Sequence, residues 1–365
     1  MSRVTITTEC APRRRTVCGG APRSPLAVNA LATDQLTRNS GPMSAVSAVQ
    51  VSVQAEPCDL ASWTALARQL ESDGFAALLM GDHPASGASP WTALGAAAAV
   101  TDTLGVGTYV LNTGVRDPVR IAAEAATLNL LAPGRVHLGL GAGHTPAEWT
   151  QIGLTRPDAA ARVQRLAETL EVVAALLAGE VVTHHGEHLH LHLVEARLED
   201  LPTTATGAAP VRLIVGGGNR ALLALAARHA DVVALSGLGR TLADGHRHEV
   251  RWAEEDLRTQ LTVVDDGVRD AGCSLQPAPA LEALVQAVAV TEDREATAAQ
   301  WVSRVAGVNT EQVLSTPFML IGTHEQMAEQ LVDQAKRWGI TRYVVREAAV
   351  DDLAIVLKIL RRRPA

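Results

Sequence analysis

"VHLGLGAGHTPAEW", residues 136–149, decides between two folds. It reads as an apolar strand running into alternating glycines, then a His, a Pro, a Glu and a Trp. A dinucleotide fingerprint places G-x-G-x-x-G on the turn from a first strand into a helix. Here Gly139, Gly141 and Gly143 are spaced G-x-G-x-G, and Pro146 intervenes before a helix can start. The spacing excludes the dinucleotide turn, so the neighbouring sequence must say what this strand belongs to.

Working outward, short apolar runs alternate with amphipathic stretches, the pattern of a parallel sheet covered by helices. Strands are expected at 49–54, 75–81, 106–112, 135–141, 211–217, 231–237, 284–290 and 342–347. Helices are expected at 59–73, 89–101, 117–131, 159–178, 219–229, 248–271, 293–306, 323–338 and 350–361. Three strand–helix units precede the glycine strand, which makes it a fourth stave. Eight such units are what a closed (β/α)8 TIM barrel requires; an open doubly wound sheet is the second reading. Residues 179–210 break the alternation, and "VVTHHGEHLHLHL" alternates around Gly186 as an inserted β-hairpin would. Residues 1–45 lack periodicity and are rich in Pro, Gly, Ser, Thr and Arg, the composition of a disordered extension. Met43 is the expected biological start, and one barrel domain is expected over 46–365.

Bulk properties narrow the function. The chain is 47% hydrophobic with only six Trp, two Tyr and two Phe, so its core must be Ala, Val and Leu. A net charge of −7 argues against nucleic acid and anionic membranes. No apolar run reaches the roughly 18 residues of a membrane span. Four cysteines (Cys10, Cys18, Cys58, Cys273) without framework spacing fit a reducing, cytoplasmic setting. The only lysines are Lys336 and Lys358, both in C-terminal helical segments. A Schiff-base barrel, which needs a lysine at a strand end, does not fit.

Barrel chemistry sits at the C-terminal strand ends. Those ends carry Gln54, Asp82 and His83, Asn112, Gly143 and His144, Gly217 and Gly218, Ser236 and Gly237, Thr291 and Glu347. In "MGDHP" (80–84), His83 can exchange a proton near neutral pH and Asp82 can orient it. The end of "TYVLN" (108–112) could form a bulge against a flat ligand. "VGGGN" (215–219) sets three glycines before a helix, where backbone N–H groups can hold an anion. His184, His185, His188, His190 and His192 tempt a metal assignment, but a surface hairpin offers neither converging ligands nor an outer shell, so no metal is expected.

Across 49–361 the chain resembles the bacterial luciferase-like family, in its branch that uses the deazaflavin coenzyme F420. The stretches that carry the resemblance are "LARQLESDGFAALLMGDH" (66–83), "GVGTYVLNTGVRDPVRIAAEAATLNLLAPGRVHLGLGAGH" (105–144), "VRLIVGGGNRALLALAARHADVVALSGL" (211–238) and "TPFMLIGTHEQMAEQLVDQAKRWGITRYVV" (316–345). The resemblance implies a non-proline cis peptide at Tyr109–Val110 supporting the flat ring, with Asp82 and His83 beside it. It implies that Asn112, Ala142 and Gly143 line the ring and ribityl chain. Gly217, Gly218, Asn219, Ser236 and Gly237 would take the phosphate and tail. Its catalytic candidates are His83, oriented by Asp82, and secondarily His144. On this reading the glycine strand is kept slim for the ring. Two departures stand out: His144 replaces the catalytic Glu of sugar-phosphate-oxidising relatives, and Leu238 replaces their phosphate-binding Lys. The implied activity is hydride transfer between coenzyme F420 and a small organic substrate other than a sugar phosphate. An FMN-dependent monooxygenase and a non-catalytic flavin-binding barrel are the alternatives. Helices 161–177 and 219–229 are rich enough in Ala and Leu to pack on a second copy, as in a homodimer.

Overall fold

The alternation of apolar strands and capped helices closes on itself. A computed structural model describes residues 49–363 except 85–86, 190–192, 242–247, 271, 273–276, 304 and 306. The expected N-terminal extension and start at Met43, with His190 and His192, lie outside these residues. Eight parallel strands form the barrel: β1 Gln50–Gln54, β2 Ala77–Met80, β3 Gly105–Asn112, β4 Val136–Gly141, β5 Arg212–Gly217, β6 Val232–Leu235, β7 Ala280–Leu284 and β8 Ile340–Arg346. Each pairs with its sequence neighbours, and β8 returns to β1 in the register Gln50↔Arg342 to Gln54↔Arg346.

Side chains alternate between two cores. Val51, Leu78, Leu138, Val215 and Val345 face out, onto the Ala- and Leu-rich faces of the surrounding helices. Ala77, Leu79, Tyr109, Ile214, Val232, Ala234 and Val344 pack in the lumen. The helices start where the sequence supplies caps. Asp59 accepts from the Ser62 N–H, Asp117 from Arg120, Asp158 from Ala161 and Thr323 from Gln326.

Three expectations are corrected. The seventh stave is Ala280–Leu284, not 284–290; after Gln286 the chain forms a separate strand, Ala287–Val290, paired with Met319–Gly322. Thr291 therefore does not end a stave. The helix expected over 248–271 is a short strand at His248–Val250 followed by a helix at Glu254–Asp270. The insertion does form a hairpin, Val182–His184 against Leu193–Ala196, but its second strand begins where the expected alternation about Gly186 ends. It is tied to helix Ala159–Ala178 by Glu168, which accepts from the N–H groups of Glu187, His188 and Leu189.

The lumen also holds charge. Glu282 is fully buried, 3.3 Å from Arg342 Nε. Below it, Arg212 approaches His137 Nε2 at 3.4 Å. Burial, with Arg342 and Arg212 nearby, pushes His137 down to about 3, so its ring is neutral.

Candidate active site

The end of β3 organises the mouth. Its ladder with β4 is interrupted between Thr108 and Leu111, and the Tyr109–Val110 peptide is cis, as the resemblance implied. Threonine hydroxyls patch the broken ladder: Thr108 Oγ1 donates to Gly139 O and accepts from Gly139 N, both at 3.0 Å, and Thr113 Oγ1 donates to Gly141 O. This explains the opening glycines. A Cβ on Gly139 would stand 2.3 Å from Thr108 O, and one on Gly141 would stand 2.5 Å from Val110 Cγ2. At Gly143, where φ is +70°, a Cβ would meet Asn112 Oδ1 at 2.0 Å. The glycines answer first to the bulge and to Asn112, not directly to a ligand.

Around this bulge the structure gathers Asp82, His83, Asn112 and Gly143, together with Arg116, Glu148 and Trp149. The expected orientation of His83 by Asp82 is not what forms. Asp82 is buried and receives Arg116 through Nε and Nη2, each at 2.7 Å, and the Asn112 N–H at 3.2 Å. His83 Nδ1 instead lies 2.9 Å from Glu148 Oε1. The other oxygen of Glu148 accepts from Asn112 Nδ2 at 2.8 Å, and Asn112 Oδ1 accepts from the Gly114 N–H at 3.0 Å. The bond to Glu148 raises the His83 pKa against partial burial, with the Glu148, Glu56 and Asp82 charges adding to the effect. Burial would raise the Glu148 carboxyl, but hydrogen bonds from His83, Asn112 and Thr145 hold it below its ordinary value.

The His83 ring folds over Gly81. A Cβ on Gly81 would lie 3.2 Å from His83 Nε2 and 3.1 Å from Gln54 Nε2. That same Gln54 amide donates to Tyr109 O at 2.8 Å. His83 Nε2 is thus set beside the bulge. His144 is exposed, with Nε2 3.4 Å from Thr145 Oγ1, and Ala142 is half-buried next to it.

The second group lies at the ends of β5 and β6, next around the barrel from β4. Gly217 packs against Leu222, Gly218 against Leu238 O, and Gly237, at φ +66°, against Phe318. Asn219 caps helix Arg220–His229 by accepting from the Leu222 N–H, and Ser236 Oγ accepts from the Leu238 N–H. Gln286, two residues beyond the end of the seventh stave, donates to Ser236 O at 2.8 Å. Gly81, Gly143, Gly217 and Gly237 leave four of the strand ends without side chains. The donors gathered at this rim are backbone N–H groups and side-chain amides, chemistry that fits the polar edge and phosphate of a deazaflavin or flavin. Among the described residues no group of three His, Cys, Asp or Glu side chains is placed to hold a metal.

The family model for luciferase-like monooxygenases matches residues 42–342. The chain belongs to the luciferase-like family. Relatives within it include an F420-dependent glucose-6-phosphate dehydrogenase of Beutenbergia cavernae, 38% identical over 200 residues, covering 52% of this chain and 56% of that one. Another is a 4-hydroxyprotoasukamycin monooxygenase of Streptomyces nodosus subsp. asukaensis, 35% identical over 147 residues, 39% of this chain and 38% of that one. The chain spans about half the length of the curated relatives it matches. Among solved structures, an F420-dependent secondary alcohol dehydrogenase in complex with an F420–acetone adduct superposes with a TM-score of 0.67. It is 19% identical and covers 86% of this chain and 99% of that one, a likeness of fold.

Sequence reasoning missed Glu148 and Arg116 and gave Gln54 no role. The signal for Glu148 was present only as a Glu in the first turn after Pro146, with nothing to pair it with His83.

Proposed function

We propose that this luciferase-like barrel is a coenzyme F420-dependent oxidoreductase that exchanges a hydride with a small organic substrate. The observation that carries this reading is the placement of His83 Nε2 beside the Tyr109–Val110 bulge, at a rim of glycines. The naming of relatives within the family supports the choice of cofactor.

The deazaflavin, when bound, supplies two-electron hydride chemistry. Asn112, Ala142 and Gly143 would line its ring, and Gly217, Gly218, Asn219, Ser236 and Gly237 would meet its phosphate and tail. With Nδ1–H directed at Glu148, the neutral His83 ring has its basic lone pair on Nε2. Nε2 would take the hydroxyl proton of an alcohol as the hydride on its carbinol carbon passes to the bound deazaflavin, and in reverse would return the proton to the carbonyl oxygen. His144 is a second, more exposed candidate for the same proton. Leu238, and the confinement of both lysines to helices His324–Trp338 and Val350–Arg362, argue for a substrate without a phosphate.

The test is anaerobic turnover followed by deazaflavin absorbance, with secondary alcohols and with glucose 6-phosphate. We expect turnover of a neutral alcohol, none of the sugar phosphate, and a loss of about 10²–10⁴-fold in His83→Ala. Oxygen-dependent turnover with FMN alone would overturn the reading in favour of a monooxygenase.

A further inference from the structure

We propose that Glu148 is the positioning residue for His83, locking the imidazole in the tautomer that presents Nε2 to the reacting proton. The inference rests on the proton-transfer role given to His83 above.

A carboxylate only accepts, so the 2.9 Å contact to Glu148 Oε1 requires a proton on His83 Nδ1. The carboxylate cannot turn away, because Oε2 is held by Asn112 Nδ2, whose own oxygen is held by the Gly114 N–H. The missing Cβ of Gly143 is what leaves room for that amide. The chain of contacts therefore runs from the bulge strand, through Asn112 and Glu148, to His83. An exposed ion pair would be worth little. This one is not exposed on its acidic side: the Glu148 side chain retains 7% of its accessibility, against 46% for His83. Asp82 is not an equivalent partner, since both its oxygens are taken up by Arg116. Glu56 adds its charge to the upward shift of His83.

Removing the carboxylate charge removes the main stabiliser of the imidazolium, so the His83 titration moves toward acid. In the oxidative direction neutral His83 is required, and the rise of kcat with pH shifts to lower pH. In the reductive direction imidazolium is required, and the fall of kcat with pH shifts the same way.

The test is Glu148→Gln, read by an NMR titration of the His83 ring in cofactor-free protein and by the pH profile of kcat in loaded enzyme. We expect an acid-ward midpoint and a kcat about 10- to 100-fold lower, short of the full acid–base contribution. KM should be little changed, and Glu148→Asp should restore part of both effects. If Glu148→Gln does not fold, the smaller acid-ward shift of Glu148→Asp carries the test. An unmoved midpoint overturns the positioning role. A moved midpoint with unchanged turnover overturns the assignment of proton transfer to His83, on which the positioning role depends.

Discussion

At Gly141 the absence of one methyl group sets how closely β4 can lie against the bulge of β3. A Cβ there would stand 2.5 Å from a Val110 methyl. In Gly139→Ala it would stand 2.3 Å from a backbone oxygen, which has less freedom to move. Overpacking of this kind costs about 1–3 kcal/mol, occasionally more. We expect Gly139→Ala to fall at the upper end and Gly141→Ala lower, read by urea unfolding. Gly95 is the control. It lies within helix Pro90–Ala98 with nothing inside 4 Å of its would-be Cβ, so Gly95→Ala should gain about 0.5–1 kcal/mol. Equal effects at the three sites would contradict the steric account. The G-x-G-x-G spacing was legible as a departure from the nucleotide turn. Its cause was not, because it lies on the neighbouring strand, about thirty residues earlier, in a bulge whose partners are threonine hydroxyls.

Among the elements, β7 shows most clearly where sequence patterning and three-dimensional structure part. The run "LVQAVAV" is the stronger apolar signal, and patterning alone makes it the stave. The true stave, "ALEAL", carries a glutamate at its centre. A charge in mid-strand is a poor sequence signal for burial, yet Glu282 faces Arg342 inside the lumen, and that pairing across β7 and β8 is invisible in linear order. Burial pushes the Glu282 carboxyl up, and Arg342 only partly offsets this. Breaking a buried pair from one side costs about 3–5 kcal/mol, while replacing both partners with apolar residues is often neutral. Arg342→Met should therefore destabilise by that amount, and the double replacement Glu282→Leu/Arg342→Met should recover most of it. Additive losses in the double variant would count against a paired role. The other staves end within two residues of the expected bounds, because their outward faces are mostly apolar, as at Val51, Leu78, Leu138 and Val215, and several of their helices begin at Asp or Asn caps.

For the whole molecule, eight strand–helix units bring two short glycine-rich turns together at one end of a barrel. Between them they gather the residues the resemblance pointed to. The cluster at β2–β4 joins Asp82, His83, Asn112 and Gly143; the cluster at β5–β6 joins Gly217, Gly218, Asn219, Ser236 and Gly237. That these residues meet at the strand ends was legible, but their wiring was not. Asp82 and His83 are adjacent in sequence yet turn to different partners, Arg116 and Glu148, which lie 34 and 65 residues away. The cofactor reading depends on the mouth these clusters form, and Trp149 reports on it. Its buried ring fills the space beside Gly114, and its Nε1 donates to Gly143 O at 3.4 Å. The decisive measurement is a titration of the purified protein with coenzyme F420 and, separately, with FMN, followed by tryptophan fluorescence. We expect saturable quenching by micromolar coenzyme F420 and none by FMN at the same concentration. Saturable binding of FMN with no response to coenzyme F420 would contradict the assignment.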